Sequence, residues 1–283
     1  MSHFSVIVVG PDIKIQLQPF HEFECTGTDD QYVIEIDETQ KYREMWEKGE
    51  KETSFLAWVQ EYTGRPVLRS GGRKTKNHKY GYICLDGEDN VTVINRTNPN
   101  AKWDYWKIGG RWNEFFPLRN GLKANQATIG EIDFDQARLE MEVCARKDFA
   151  LWESSFNRFK GGDRTLPWKS FIEKTQTVQS YTMDQARVDY NAQPAIQEYN
   201  KHGFYWGCPV EDFGFDREIY IKKMRASALI TYAIVHDGHW LSCGDMGWWG
   251  MSSNETDDWE QKASELLDSL PPDTLVTIVD CHI

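Results

Sequence analysis

No apolar run of about 18 residues occurs anywhere in the chain, so nothing in it reads as a membrane span. The opening Met-Ser-His-Phe-Ser-Val lacks the charged and long apolar regions of a signal peptide, so export is not expected. The six cysteines (Cys25, Cys84, Cys144, Cys208, Cys243 and Cys281) lie far apart with no Cys-x-x-Cys between them. A chain of this size needs no disulfide staples, so reduced thiols in a cytoplasmic setting are expected. Gly-x-Ser-x-Gly is absent, and Cys208 has only His202 near it in sequence, so no nucleophilic triad is supported. Internal repeats and low-complexity tracts are absent as well. Basic charge is in short supply: 32 Lys and Arg against 44 Asp and Glu leave a net charge of −12. That balance disfavours a general nucleic-acid binder, whose phosphate footprint reads basic, and the acid is too dispersed for a DNA mimic.

Tryptophan, by contrast, is abundant, with 12 in 283 residues. Burying that many requires either a heavily aromatic core or grooves walled by aromatic rings. The length fits one large domain or two small ones.

Periodicity supplies the fold expectation. Residues 3–9 form a strand apolar on both faces, closed by Gly10-Pro11, and residues 274–282 repeat the pattern, so both ends are expected in one sheet. Residues 228–236 and 239–243 flank Asp237-Gly238, the strongest short hairpin signal. An amphipathic helix follows, with Thr256 as its cap and Trp259, Ala263, Leu266, Leu267 and Leu270 as its stripe. Hairpin, helix and strand make the second half of a ferredoxin-like unit, with residues 3–9 as its first strand. The expected class is therefore α+β: a ferredoxin-like antiparallel sheet from both termini (1–30, 75–130 and 226–283) carrying a mainly helical insertion (131–225). Elsewhere a helix with Phe55, Trp58, Val59 and Tyr62 on one face ends at Gly64, and a hairpin joins 79–85 to 91–96. A helical stripe of Phe149, Trp152, Phe156 and Phe159 follows, and Pro194 restarts the last helix of the insertion.

Two stretches could carry ligand chemistry. In Lys-Trp-Asp-Tyr-Trp-Lys-Ile-Gly-Gly-Arg-Trp (102–112), Gly109 and Gly110 free the backbone for close approach. Arg111 offers a fork for an anionic group, Trp103, Trp106 and Trp112 offer stacking faces, and Asp104 can pair with Arg111 or accept hydrogen bonds. The alternative is a glycine turn with three core tryptophans. The second stretch, 244–251, sets glycines around Trp248 and Trp249 beside Asp245; it is either a loop over a pocket or a bulged strand end. Arg65, Arg69, Arg73, Lys74, Lys76 and Lys79 make a local reversal of sign, without the Gly-Lys-Ser/Thr ending of a P-loop. Glu22 and Glu24 share a face in an extended segment, where Asp29 or Asp30 folding back would complete an acid–base or Mg²⁺ site. His236 and His239 face each other across their hairpin, but Cys243 lies roughly 13 Å further along, too far to share an ion.

The opening Met-Ser-His-Phe-Ser-Val-Ile-Val-Val-Gly, the segment Pro19-Phe-His-Glu-Phe-Glu-Cys-Thr-Gly27, the Trp-Asp-x-Trp-x-Ile-Gly-Gly-Arg-Trp stretch (103–112) and the ending Val-Asp-Cys-His-Ile resemble a family of tailed-bacteriophage proteins. The resemblance covers both ends and the first half, is weak over 133–225, and carries no catalytic residues with it. It implies an accessory role in the host cytoplasm, by analogy one directed at host immunity. The sequence thus favours a binding protein without cofactor or metal, taking a small anionic, nucleotide-like ligand or a host protein. Its alternatives are a metal-dependent hydrolase or transferase acting on a nucleotide through Glu22, Glu24 or Asp245, and an acidic protein–protein inhibitor.

Overall fold

A computed structural model describes residues 2–22, 30–49, 53–157, 165–203, 205–214, 216–247 and 252–283. The protein is a mixed α+β chain in two units: residues 1–114, 231–255 and 275–283 form the first, and residues 115–230 and 256–274 the second.

The first unit opens with β1 (His3–Val9), α1 (Ile13–Leu17), β2 (Ile34–Asp37), α2 (Thr39–Lys48), α3 (Phe55–Thr63), β3 (Val67–Arg69), the hairpin β4 (Gly81–Leu85) and β5 (Val91–Thr97), and β6 (Tyr105–Ile108). Its later segments add the hairpin Ala233–His236 and His239–Ser242, and the strand Leu275–His282. Both end strands do share one sheet: β1 and Leu275–His282 pair antiparallel from His3↔His282 to Val9↔Val276. The turn between the hairpin strands has φ of 50° at Asp237 and 74° at Gly238, the left-handed pair that an Asp-Gly turn supplies.

The strand order corrects the ferredoxin-like expectation. That arrangement would seat 239–242 beside β1, antiparallel to it; instead Ala233–His236 takes the place and runs parallel to β1. The reason is burial. Ala233, Ile234 and Val235 are fully buried on both faces, whereas Leu241 of the partner strand is 39% exposed. A strand apolar on both sides belongs in the interior of a sheet, and its alternating partner belongs at the rim. The resulting order is His239–Ser242, Ala233–His236, β1, Leu275–His282, β6. On one face Phe4, Val6, Val8, Val235, Val279 and Cys281 pack with Leu17, Phe20 and Trp103.

A second sheet, ordered β2-β5-β4-β3, lies within the same unit and packs Ile83 and Val93 against Tyr42 of α2 and Phe55 and Val59 of α3. α3 ends where Gly64 turns left-handed, as its sequence requires. Here Glu38 meets Lys41 at 2.9 Å and Arg65 at 3.2 Å. Burial raises the Glu38 pKa, but the hydrogen bonds from Lys41 and Arg65 outweigh it, and the carboxyl lies below its ordinary value of 4.5. A depressed carboxylate stabilises the fold above its unfolded pKa, and that contribution is lost as pH falls through the folded one. Wild type should therefore exceed Glu38→Gln in urea resistance at neutral pH and lose that lead below about pH 4; equal midpoints at both pH values would contradict this.

In the second unit α4 (Phe134–Asn157) carries Ala145, Phe149 and Trp152 into an aromatic core with Tyr190, Tyr199, Phe213 and Tyr220. The Trp152 indole N–H donates to Gly214 O at 3.2 Å, so the largest buried ring is also satisfied. Phe156 packs at the edge of this core, and Phe159 lies outside the described residues. Pro194 opens a new helix, Pro194–Tyr199, at its first position. The helix Trp259–Ser269 belongs to this unit too; Arg138 of α4 reaches its Asp268 at 2.7 Å and its Ser264 at 3.0 Å. Asp258, not Thr256, occupies its N-cap position, and makes no side-chain capping bond.

Candidate functional site

In antiparallel neighbours directly opposed residues share a face. The registers therefore lay two rows across the three strands β1, Leu275–His282 and β6: His3, His282 and Tyr105 in one, and Ser5, Asp280 and Lys107 in the next. Further along this face Ile7 and Ile278 are fully buried, so the sheet is apolar in its middle and polar at one end.

The polar end is held by two imidazole–carboxylate pairs. His3 Nδ1 lies 2.8 Å from Asp280 Oδ1, and His282 Nδ1 lies 2.6 Å from Asp104 Oδ1. An ionised carboxylate only accepts, so in each pair Nδ1 carries the proton and donates, which leaves Nε2 as the reactive nitrogen. The rings lie 5.0 Å apart, centre to centre, at 73°. Both retain access, with side chains 23% exposed at His3 and 13% at His282.

The Trp-rich stretch builds the frame around these pairs. Asp104, expected opposite Arg111, pairs with His282 instead, and its own N–H donates to His282 O at 2.9 Å. Gly109 N–H donates to Ile278 O, which turns the chain sharply after β6. Gly110 then passes against Asp280 at φ +55°, and a Cβ there would sit 2.3 Å from the Asp280 carboxylate. That close approach lets the Arg111 main-chain N–H donate to Asp280 Oδ2 at 3.0 Å. The glycine pair thus admits an internal carboxylate where the sequence pointed to a bound ligand. The Arg111 guanidinium is exposed and has no ion pair among the described residues. Trp103 is a core residue whose indole donates to Leu17 O at 3.1 Å, with His21 stacked on it at 4.4 Å. Trp106 packs against the same core and Trp112 is half-buried, so the exposed ring beside the histidines is Tyr105, 59% exposed.

The other expected residues divide. Trp248, Trp249 and Glu24 lie outside the described residues. Asp245 is exposed and accepts from Asn254 at 3.0 Å. It lines a cleft of about 60 Å³ with Lys102, Tyr232, Trp240 and Met246, which brings the edges of the two Trp-rich stretches together. Space for about two waters does not hold a nucleotide. Glu22 is tied through its N–H to Trp103 O, and Asp30 is taken by Arg96 at 2.7 Å, so it does not fold back to serve a metal. Of the basic loop, Arg65 goes to Glu38 and Lys74 to Glu35, ion pairs that bind the loop to its own unit. Burial pushes the Cys208 thiol up, with Glu211 and Asp212 adding to it, the opposite of what a nucleophile needs. Among the described residues no group of three or more His, Cys, Asp or Glu side chains is arranged to hold a metal ion.

His3, Asp280 and His282 escape a motif search because they read as the polar ends of core strands. The usable signal was the pairing of the two end strands, which sets His3 beside His282 once the register is drawn. Comparison with protein-family models, with curated proteins and with solved structures finds no match to this chain. None of its helices among the described residues is long and apolar enough to cross a membrane.

Proposed function

We propose that this protein binds a small anionic ligand, a phosphate-bearing molecule of nucleotide type, at the polar end of the sheet that pairs β1 with Leu275–His282. The observation that carries this reading is Arg111: its backbone is pinned to Asp280 while its guanidinium stands exposed with no ion pair among the described residues. A fork presented on a fixed backbone is suited to a phosphate or carboxylate. Lys107, exposed and in the row of Asp280, adds a second cation, and Tyr105 offers a ring on which a base can stack. The resemblance to tailed-phage proteins supports an accessory role in the host cytoplasm, where capturing such a ligand would counter a host defence.

Mass spectrometry of small molecules released from the native protein identifies the ligand, and calorimetry with a nucleotide panel measures its affinity. Arg111→Ala should weaken binding about 10- to 100-fold, the loss of one hydrogen bond to a charged group, with the melting temperature unchanged. Unaltered affinity in that variant would remove the reading.

A further inference from the structure

The two histidines go further than an anion site requires. Binding an anion needs positive charge and donors, which Arg111 and Lys107 provide. It does not need two imidazoles side by side, each with Nδ1 tied to its own carboxylate. We infer that His3 and His282 are a general base and general acid, and that the substrate is the phosphodiester of a short ribonucleotide. This rests on the anion-binding reading and deepens it.

The ring centres lie 5.0 Å apart, a separation on the scale of the two oxygens that flank a single phosphorus, and both side chains are part-exposed. Among the described residues the only hydrogen bond made by each imidazole ring is the one to its carboxylate. Among phosphoryl transfers, the one that asks least of a protein is internal transesterification at a ribose, because the nucleophile is part of the substrate. One imidazole, neutral, takes the proton of the 2′-hydroxyl on Nε2 as the 2′-oxygen bonds to phosphorus. The other, protonated, gives its Nε2 proton to the departing 5′-oxygen as the P–O5′ bond breaks. One proton is accepted and one donated, no redox change occurs, and the products are a 2′,3′-cyclic phosphate and a 5′-hydroxyl. Asp280 and Asp104 are positioning residues that fix each Nδ1–H and so aim each Nε2. Arg111 and Lys107 offset the charge that builds on the non-bridging oxygens, and Tyr105 stacks on a flanking base.

The test uses the full chain, the dinucleotide uridylyl-3′,5′-adenosine and its 2′-deoxy counterpart, in EDTA, with products read by mass spectrometry and binding read by calorimetry. Expected are a cyclic phosphate and adenosine from the ribose form and none from the deoxy form. His3→Gln and His282→Gln each lower turnover at least a hundredfold with binding kept. Asp104→Asn should lower kcat with KM little changed, a split that mere loosening of the fold would not produce. Glutamine keeps much of the imidazole's volume and polarity, and if one His variant fails to fold the other carries the same test. Binding without cleavage overturns the inference and leaves the anion reading standing; absence of binding removes both. Cleavage that survives both substitutions, or that requires an added metal, also overturns it.

Discussion

Replacing Arg96 by methionine should cost about 3–5 kcal/mol of stability, read as a lowered urea midpoint of the full chain. Arg96 is 7% exposed on β5 and reaches Asp30 at 2.7 Å, Glu35 at 3.1 Å and Lys79 O at 3.4 Å. The Asp30 side chain is only 1% exposed, so removing the guanidinium takes away a counter-charge that water is poorly placed to replace. The size of the effect comes from that stranded charge more than from the worth of the pair. Adding Asp30→Asn to Arg96→Met should therefore recover part of the loss, because it removes the buried charge that has lost its guanidinium. If the double variant is no more stable than Arg96→Met alone, the stranded-charge account is wrong.

Gly110→Ala should be comparably damaging, for a different reason. A side chain at φ +55° costs about 1–3 kcal/mol, and forcing a methyl to within 2.3 Å of Asp280 adds about 1–3 kcal/mol of overpacking. Gly64 is the control: it is also left-handed, at φ +64°, but nothing lies within 4 Å of a Cβ built there. Gly64→Ala should show only the backbone cost. The two variants separate a second way, since relief of the Gly110 clash must move Asp280 off His3 or off the Arg111 N–H. Loss of ligand binding is thus expected in Gly110→Ala and not in Gly64→Ala. Equal stability and equal binding in the two would refute the close approach as the reason for glycine.

The parts of the fold legible in the sequence are those decided within a few residues. A short run apolar on both faces marks β1 and the strand Leu275–His282, Asp237-Gly238 marks its hairpin, and Gly64 marks the end of α3. The order of the hairpin strands is a different kind of question. It turns on which of two neighbouring strands has the better claim to the middle of the sheet, and Ala233-Ile234-Val235 outcompete their partner there. The site was half legible: Asp104, Gly109, Gly110 and Arg111 stand in one short stretch rich in chemistry. Their partners are not local. Asp104 finds His282, 178 positions on, and Arg111 finds Asp280, 169 positions on. Pairing Asp104 with Arg111 fails because β6 and its glycine turn direct both residues to the neighbouring strand instead of to each other. The tryptophans mislead for a related reason: a large ring fills a core as readily as it walls a groove, and Trp103 does the former.

His3 and Asp280 are separated by 277 positions yet bond to each other. On the ribosome, at about 5–20 residues per second, β1 waits on the order of half a minute for its antiparallel partner. For most of that wait, until Ala233–His236 is made, a strand with oily residues on both sides has neither of its neighbours in the sheet. A nascent or interrupted chain, however well its helical unit has folded, holds one histidine without its carboxylate and lacks the other. The activity inferred for this site would therefore require the strand Leu275–His282 to be made and paired with β1.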